Sequence, residues 1–354
     1  MKLQNILAKA KNGYRLRDQE IQYLLEQKNE ANIELIFETA RDLRCDHFGT
    51  KVFLYGFVYY STFCKNDCNF CFYRKSNSKP PRYRKDQAEI IQTAIKLKDS
   101  GVNLIDLTMG EDPYYIDHQE RIVDLAKKVK AATGLPVMVS PGVIDKRTIA
   151  QLAQNGIEWF ALYQETHNKD LYSQLRSDQD FQERMNAKKY AKARGMLIEE
   201  GLLAGAGNQV EDTVYSLNVM RQINASQVRT MTFIPQEGTP LQGNAQNGFL
   251  AELLNIAVMR ILFPDKLIPA SLDVDGLKGL RDRLNAGANV VTSIIPPLDG
   301  YAGVANASHD IDDGYRTVDG IQETLKSCHL ENATTQEYRQ WINAQNSPKE
   351  AICL

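Results

Sequence analysis

Between Val52 and Thr292 a short apolar run gives way to a stretch of helical spacing eight times over. Strands are predicted at Val52–Tyr60, Leu104–Thr108, Pro136–Ser140, Trp159–Tyr163, Leu197–Leu203, Val228–Phe233, Leu267–Ser271 and Asn289–Thr292. β-Branched and aromatic residues mark the strands. The helices between them show one apolar face, as with Ile122, Leu125, Ala126 and Val129 in Gln119–Ala132. Strands separated by helices of this length pair in parallel. Eight such units in about 240 residues predict an α/β fold of the (β/α)8 TIM-barrel type, whose usual size is about 250 residues. The rival is an open doubly wound sheet. The implied organisation is an N-terminal helical extension over 1–50, a barrel over 51–295 and a C-terminal helical region, 296–354, packed on the barrel.

Charge and composition exclude several classes of function. Forty-two basic and 44 acidic residues give a net charge of −2, which argues against nucleic-acid binding. No apolar run approaches the roughly 20 residues of a membrane span. The N-terminus lacks the apolar core of a secretory signal. Six cysteines in 354 residues are not a disulfide framework; a reducing, cytoplasmic setting with metal ligation fits better.

Three of those cysteines stand together. Cys64, Cys68 and Cys71 follow the first strand within eight residues, spaced by three and then two. Three soft thiolates at that separation can hold three corners of a cubane iron–sulfur cluster and leave one iron open to a small molecule. A zinc knuckle is the plain alternative, but zinc favours paired Cys-x-x-Cys sets. Cys45, Cys328 and Cys353 receive no role, and the five histidines form no ligand spacing.

In a barrel of this type the active site forms at the C-terminal ends of the strands. Polar residues recur there: Asp106 and Gly110-Glu111-Asp112 on the second unit, Ser140 on the third, Glu165 on the fourth, glycines 201, 205 and 207 on the fifth, Arg229 on the sixth, and Ser271 and Asp273 on the seventh.

With Phe70 before the last cysteine, the Cys64–Cys71 loop resembles the signature of the radical S-adenosylmethionine enzymes. Within that family the chain resembles the full-barrel branch that includes biotin synthase, and more closely the lysine mutases of pyrrolysine biosynthesis. The stretches carrying this are Asp106–Tyr115, Val228–Pro240 and Ile268–Asp273. The resemblance implies a 4Fe–4S cluster on Cys64, Cys68 and Cys71, and S-adenosylmethionine chelating the open iron. It places Phe70, Gly110, Glu111, Asp112, Ser140, Glu165, Arg176, Arg184 and Gly205 at that cofactor. Arg184 would pair with the methionyl carboxylate, and bare backbone at Gly205 would admit adenine. It also implies an external reductant of flavodoxin or ferredoxin type. The reaction would be a carbon-skeleton rearrangement of L-lysine to 3-methylornithine. A 5′-deoxyadenosyl radical takes a side-chain hydrogen, and the lysine splits into a glycyl radical and an aminoalkene that rejoin in branched form.

Asp106, Arg229, Ser271 and Asp273 could be an ordinary buried network, but unpaired charge inside a barrel is costly. Two carboxylates and one guanidinium match a zwitterionic lysine in number and sign. By resemblance Arg229 takes the carboxylate, Asp273 with Ser271 the α-amino group, and Asp106 the side-chain ammonium. No catalytic residue is expected beyond the cluster and the cofactor. A biotin-synthase-like sulfur inserter would need ligands for a second cluster, yet no cysteine lies between 72 and 327. A non-enzymatic iron–sulfur or zinc protein would need a fourth protein ligand.

Overall fold

The computed structural model describes residues 2–246, 248–296 and 315–346. Eight parallel strands form its centre: β1 (Lys51–Ser61), β2 (Leu104–Met109), β3 (Val137–Ser140), β4 (Trp159–Ala161), β5 (Leu197–Ala204), β6 (Gln227–Thr232), β7 (Pro269–Ser271) and β8 (Val290–Ile294). Their order is β6-β5-β4-β3-β2-β1-β8-β7. The ring closes where Gln227 bridges Leu267 in parallel, with Val228 N donating to the Leu267 carbonyl at 3.0 Å. Above that bridge β6 and β7 part. The strand order never reverses, so the open doubly wound alternative is excluded. Among the described residues no helix is long and apolar enough to cross a membrane.

Local chemistry sets the element ends. The helix Gln87–Ser100 begins where the Asp86 side chain accepts from Glu89 N, and it ends at Gly101 with φ +96. Asp145 and Asp180 cap Lys146–Gln154 and Phe181–Ala193 in the same way. β4 is shorter than predicted: beyond Ala161 the chain leaves the regular ladder, and at Glu165 φ reaches +66. Helices at Pro113–Ile116 and Lys169–Leu175 lie where none was expected.

Both ends of the chain contribute helices. Leu3–Lys11, Asp18–Leu25 and Glu30–Phe48 precede the barrel. After it, a two-residue strand, β9 (Glu331–Asn332), pairs with the start of β1. It leads into the helix Thr335–Asn346, which closes the N-terminal mouth. Trp341 stacks on Trp159 at 5.9 Å and 5°, and the Tyr338 hydroxyl meets that of Tyr55 at 2.8 Å. Phe53, Tyr55, Leu104, Met138, Leu197 and Val290 pack against this plug. The chemistry is therefore left to the other, C-terminal mouth. Cys45 is exposed and Cys328 half-buried; Cys353 and His309 lie outside the described residues.

Candidate active site

One cavity sits at the C-terminal ends of the strands. Cys64, Cys68, Phe70, Cys71, Gly110, Glu111, Ser140, Glu165, Arg176 and Arg184 all line it. The cysteine loop after β1 and the Gly110-Glu111 loop after β2 interlock. Lys65 N donates to the Glu111 carbonyl at 2.9 Å, and Gly110 N to the Ser61 carbonyl at 3.0 Å. A Cβ on Gly110 would lie 2.4 Å from the Phe63 carbonyl oxygen and 2.9 Å from Cys64 Cβ, so only glycine permits this approach.

The thiol environment fits an anionic cluster. Gln179 Nε2 donates to Cys68 Sγ at 2.9 Å, Arg176 Nη1 to the same sulfur at 3.4 Å, and Asn66 N to Cys64 Sγ at 3.5 Å. Donors converging on sulfur stabilise thiolate and tune a cluster's potential. Burial pushes the Cys64 thiol up to about 11, and burial with the neighbouring thiols raises Cys71 further. These sulfurs gain charge by binding metal, which displaces the proton.

Beside the sulfurs lies an arginine–carboxylate clamp. Arg176 Nη2 donates to Glu165 Oε1 at 2.6 Å, and its guanidinium lies 5.2 Å from the Phe70 ring centroid. Glu165 holds a positive φ of 66, and such backbone strain concentrates at functional sites. Arg184 donates from Nη1 to Gln179 Oε1 at 2.9 Å and Glu111 Oε1 at 3.3 Å, and from Nη2 to the Tyr163 carbonyl at 2.7 Å. Among the described residues, the buried Nε atoms of Arg176 and Arg184 have no hydrogen-bond partner. Glu111 beside Arg184 offers one negative and one positive group, the complement of an α-amino-acid zwitterion such as the methionyl end of S-adenosylmethionine.

Two expected cofactor residues lie elsewhere. Asp112 is wholly buried and does not line the cavity. Its carboxylate takes a bidentate pair from Arg84 at 2.7 and 2.8 Å, a bond from Ser61 Oγ at 2.6 Å and the cap from Tyr114 N. Those bonds occupy both oxygens, so Asp112 braces the loop instead. Gly205, in a left-handed turn at φ +85, is also outside the lining. Gly142 was not singled out, yet Glu111 depends on it. A Cβ there would come within 2.0 Å of Glu111 Cγ.

Asp106, Arg229, Ser271 and Asp273 are all buried one layer deeper. Side chains two apart on a strand share a face, and the two layers touch through such pairs. Thr108 lines the cavity and donates to Asp106 Oδ1 at 2.9 Å; Met231 lines it above Arg229. The deeper layer also holds Glu199, Arg316 and Ser293, none of them expected. Arg229 Nε donates to Glu199 Oε1 at 2.6 Å, and Tyr163 OH to Glu199 Oε2 at 2.9 Å. Asp273 Oδ1 accepts from Arg316 Nη1 at 2.8 Å, and Oδ2 from Ser293 Oγ at 2.9 Å. Asp273 N donates to Ser271 Oγ at 3.3 Å. The simple count of two carboxylates and one guanidinium is therefore corrected to three and two. With every group ionised one negative charge still remains in excess, because Glu199 and Arg316 offset each other. Burial, then the charge of Glu199, raises Asp106 to about 7.

Glu199 had a visible signal. Two adjacent acids, Glu199 and Glu200, interrupt an apolar strand, and alternation sends them to opposite faces. Glu200 points to the helix layer, where Lys188 and His167 receive it. Arg316 had none: it stands in a stretch read only as helical.

A parallel barrel whose loop thiolates are met by aimed donors, beside a zwitterion clamp, is the architecture of a radical S-adenosylmethionine enzyme. Residues 58–217 match the model of the Radical SAM superfamily, and the chain belongs to it. It is 44% identical over 326 residues to the 3-methylornithine synthase of Methanosarcina acetivorans, spanning 92% of this chain and 93% of that protein. The Methanosarcina barkeri 3-methylornithine synthase is 43% identical over the same shares. The crystal structure of methylornithine synthase PylB superposes with a TM-score of 0.91 at 42% identity, covering 95% of this chain and 99% of that one. Within the superfamily, the chain is a member of the methylornithine synthase family.

Proposed function

We propose that this chain converts L-lysine to 3-methylornithine as a radical S-adenosylmethionine mutase. The observation that carries the reading is the two-layer site: a thiolate and zwitterion-clamp layer above, and an oppositely charged set of Asp106, Arg229, Ser271 and Asp273 directly beneath. The cluster and S-adenosylmethionine, when bound, supply the 5′-deoxyadenosyl radical. Cys64, Cys68 and Cys71 hold the cluster, Glu111 and Arg184 take the methionyl amino and carboxylate groups, and Glu165, Arg176, Ser140 and Phe70 complete the cofactor wall.

The deeper residues bind and orient. Arg229 offers its terminal nitrogens to the lysine carboxylate, while Glu199 fixes its Nε. Asp273 with Ser271 receives the α-ammonium, and Asp106 the side-chain ammonium. Fixing both ends of a flexible chain selects which hydrogen faces the cofactor. A low-potential electron donor of flavodoxin or ferredoxin type completes the requirement. Titration of lysine into the protein loaded with cluster and S-adenosylmethionine tests the substrate. Saturable binding is expected, weakened at least about tenfold in Asp273→Asn with S-adenosylmethionine affinity retained. No lysine binding by the wild-type protein would overturn the reading.

A further inference from the structure

Asp273 has a partner that the four-residue substrate set does not include. Arg316 reaches it from the segment after β8, and Ile295 N donates to the Arg316 carbonyl at 2.8 Å, tying it to the end of that strand. One side of its guanidinium is engaged: Nη1 donates to Asp273 Oδ1 at 2.8 Å and to the Leu272 carbonyl at 3.2 Å. The other side is not. Among the described residues, Nε and Nη2 are buried and have no hydrogen-bond partner. The Tyr73 hydroxyl, within electrostatic reach of both Asp273 and Arg316, is buried and has none among the described residues either.

A buried guanidinium with an unused edge is costly to keep. The Nε–Nη2 edge presents two parallel N–H groups, the geometry that grips a carboxylate. In an α-amino acid the ammonium and carboxylate hang from one carbon. A ligand whose α-ammonium meets Asp273 and Ser271 must therefore bring its carboxylate close to the guanidinium already bonded to Asp273. Arg229, the other guanidinium, stands on β6 with its own Nε committed to Glu199.

We propose that Arg316 is a substrate-binding residue whose Nε–Nη2 edge takes the α-carboxylate of the amino acid, alongside Arg229. This rests on the reading of the site as lysine-binding. The α-amino-acid head is then held by two cations and Asp273, and the side-chain end by Asp106 alone. The head is then the more heavily held of the two fixed ends.

The test compares lysine with lysinamide, which keeps both ammonium groups and lacks the carboxylate. Dissociation constants are measured for wild type, Arg316→Met and Arg316→Lys, each loaded with cluster and S-adenosylmethionine. Wild type is expected to prefer lysine. Arg316→Met is expected to cut that preference about tenfold or more while lysinamide affinity stays within about threefold, and Arg316→Lys to restore part of it. Parallel loss of lysine and lysinamide would show that Arg316 serves only Asp273 and would overturn the proposal. If Arg316→Met does not fold, as judged by cluster content, Arg316→Lys carries the same comparison. Wild-type protein that binds no lysine overturns the function itself, an outcome distinct from parallel loss in the variant.

Discussion

Glu199 reaches Arg229 from the neighbouring strand, with Oε1 2.6 Å from Nε, and both side chains are buried. The pair fixes the Arg229 Nε, Nη1 makes a long 3.7 Å contact with Met231 Sδ, and the Arg229 guanidinium lies 5.4 Å from the Tyr163 ring centroid. Removing one partner of a buried ion pair costs about 3–5 kcal/mol. Glu199→Gln should therefore lower stability by an amount of that order and weaken lysine binding. Denaturant unfolding and lysine titration check both.

The same change should move a second group. Asp106 is raised to about 7, first by burial and then by Glu199. An acid raised in the folded state is protonated below that value, so its capture of an ammonium improves as pH rises through 7. Lysine affinity should climb between about pH 6 and 8, and Glu199→Gln should shift the rise to lower pH. The stability sign is opposite. Between 3.8 and about 7 the folded state holds more protons than the unfolded one, so Asp106 costs on the order of 4 kcal/mol by the upper end. Asp106→Asn should relieve that cost above pH 7 and flatten the binding profile.

Gly142→Ala addresses the cofactor layer alone. Its Cβ would overlap Glu111, and φ is +81. Displacing that carboxylate should weaken S-adenosylmethionine binding about tenfold or more with cluster content unchanged. Equal affinity in the variant would remove Glu111 from its assigned place.

Gln179 gives a potential-based test. Its amide donates to Cys68 Sγ, and hydrogen bonds to sulfur raise a cluster's reduction potential. Gln179→Leu should shift the midpoint negative, on the order of tens of millivolts, as read by spectroelectrochemistry.

The plug at the barrel's base is separate from the chemistry. Tyr338 is wholly buried against Phe53, Tyr55 and Trp341. Tyr338→Ala should cost about 3–5 kcal/mol of stability, measured by denaturant unfolding, and leave lysine affinity of the folded protein near wild type.

The barrel was legible because eight apolar runs alternate with helical faces, and periodicity reports burial directly. The cysteine loop was legible from spacing. Asp106, Arg229, Ser271 and Asp273 drew notice as polar residues at strand ends, and the barrel does gather them in one buried layer. Several things escaped, Glu199 and Ser293 among them. Asp112 looked like its neighbour Glu111, and only the fold shows Arg84 closing on it. Gly142 matters through a contact with a residue 31 positions earlier in the chain. Arg316 belongs to a segment read only as a helical region, and its meeting with Asp273 is a product of tertiary return.

Product analysis tests directly whether lysine is the molecule rearranged. Protein loaded anaerobically with its cluster is incubated with L-lysine, S-adenosylmethionine and a strong reductant, and the amino acids are separated and weighed by mass spectrometry. A new species isobaric with lysine, co-eluting with authentic 3-methylornithine and absent in Cys68→Ala, is expected. Lysine recovered unchanged while S-adenosylmethionine is consumed would contradict the proposed function.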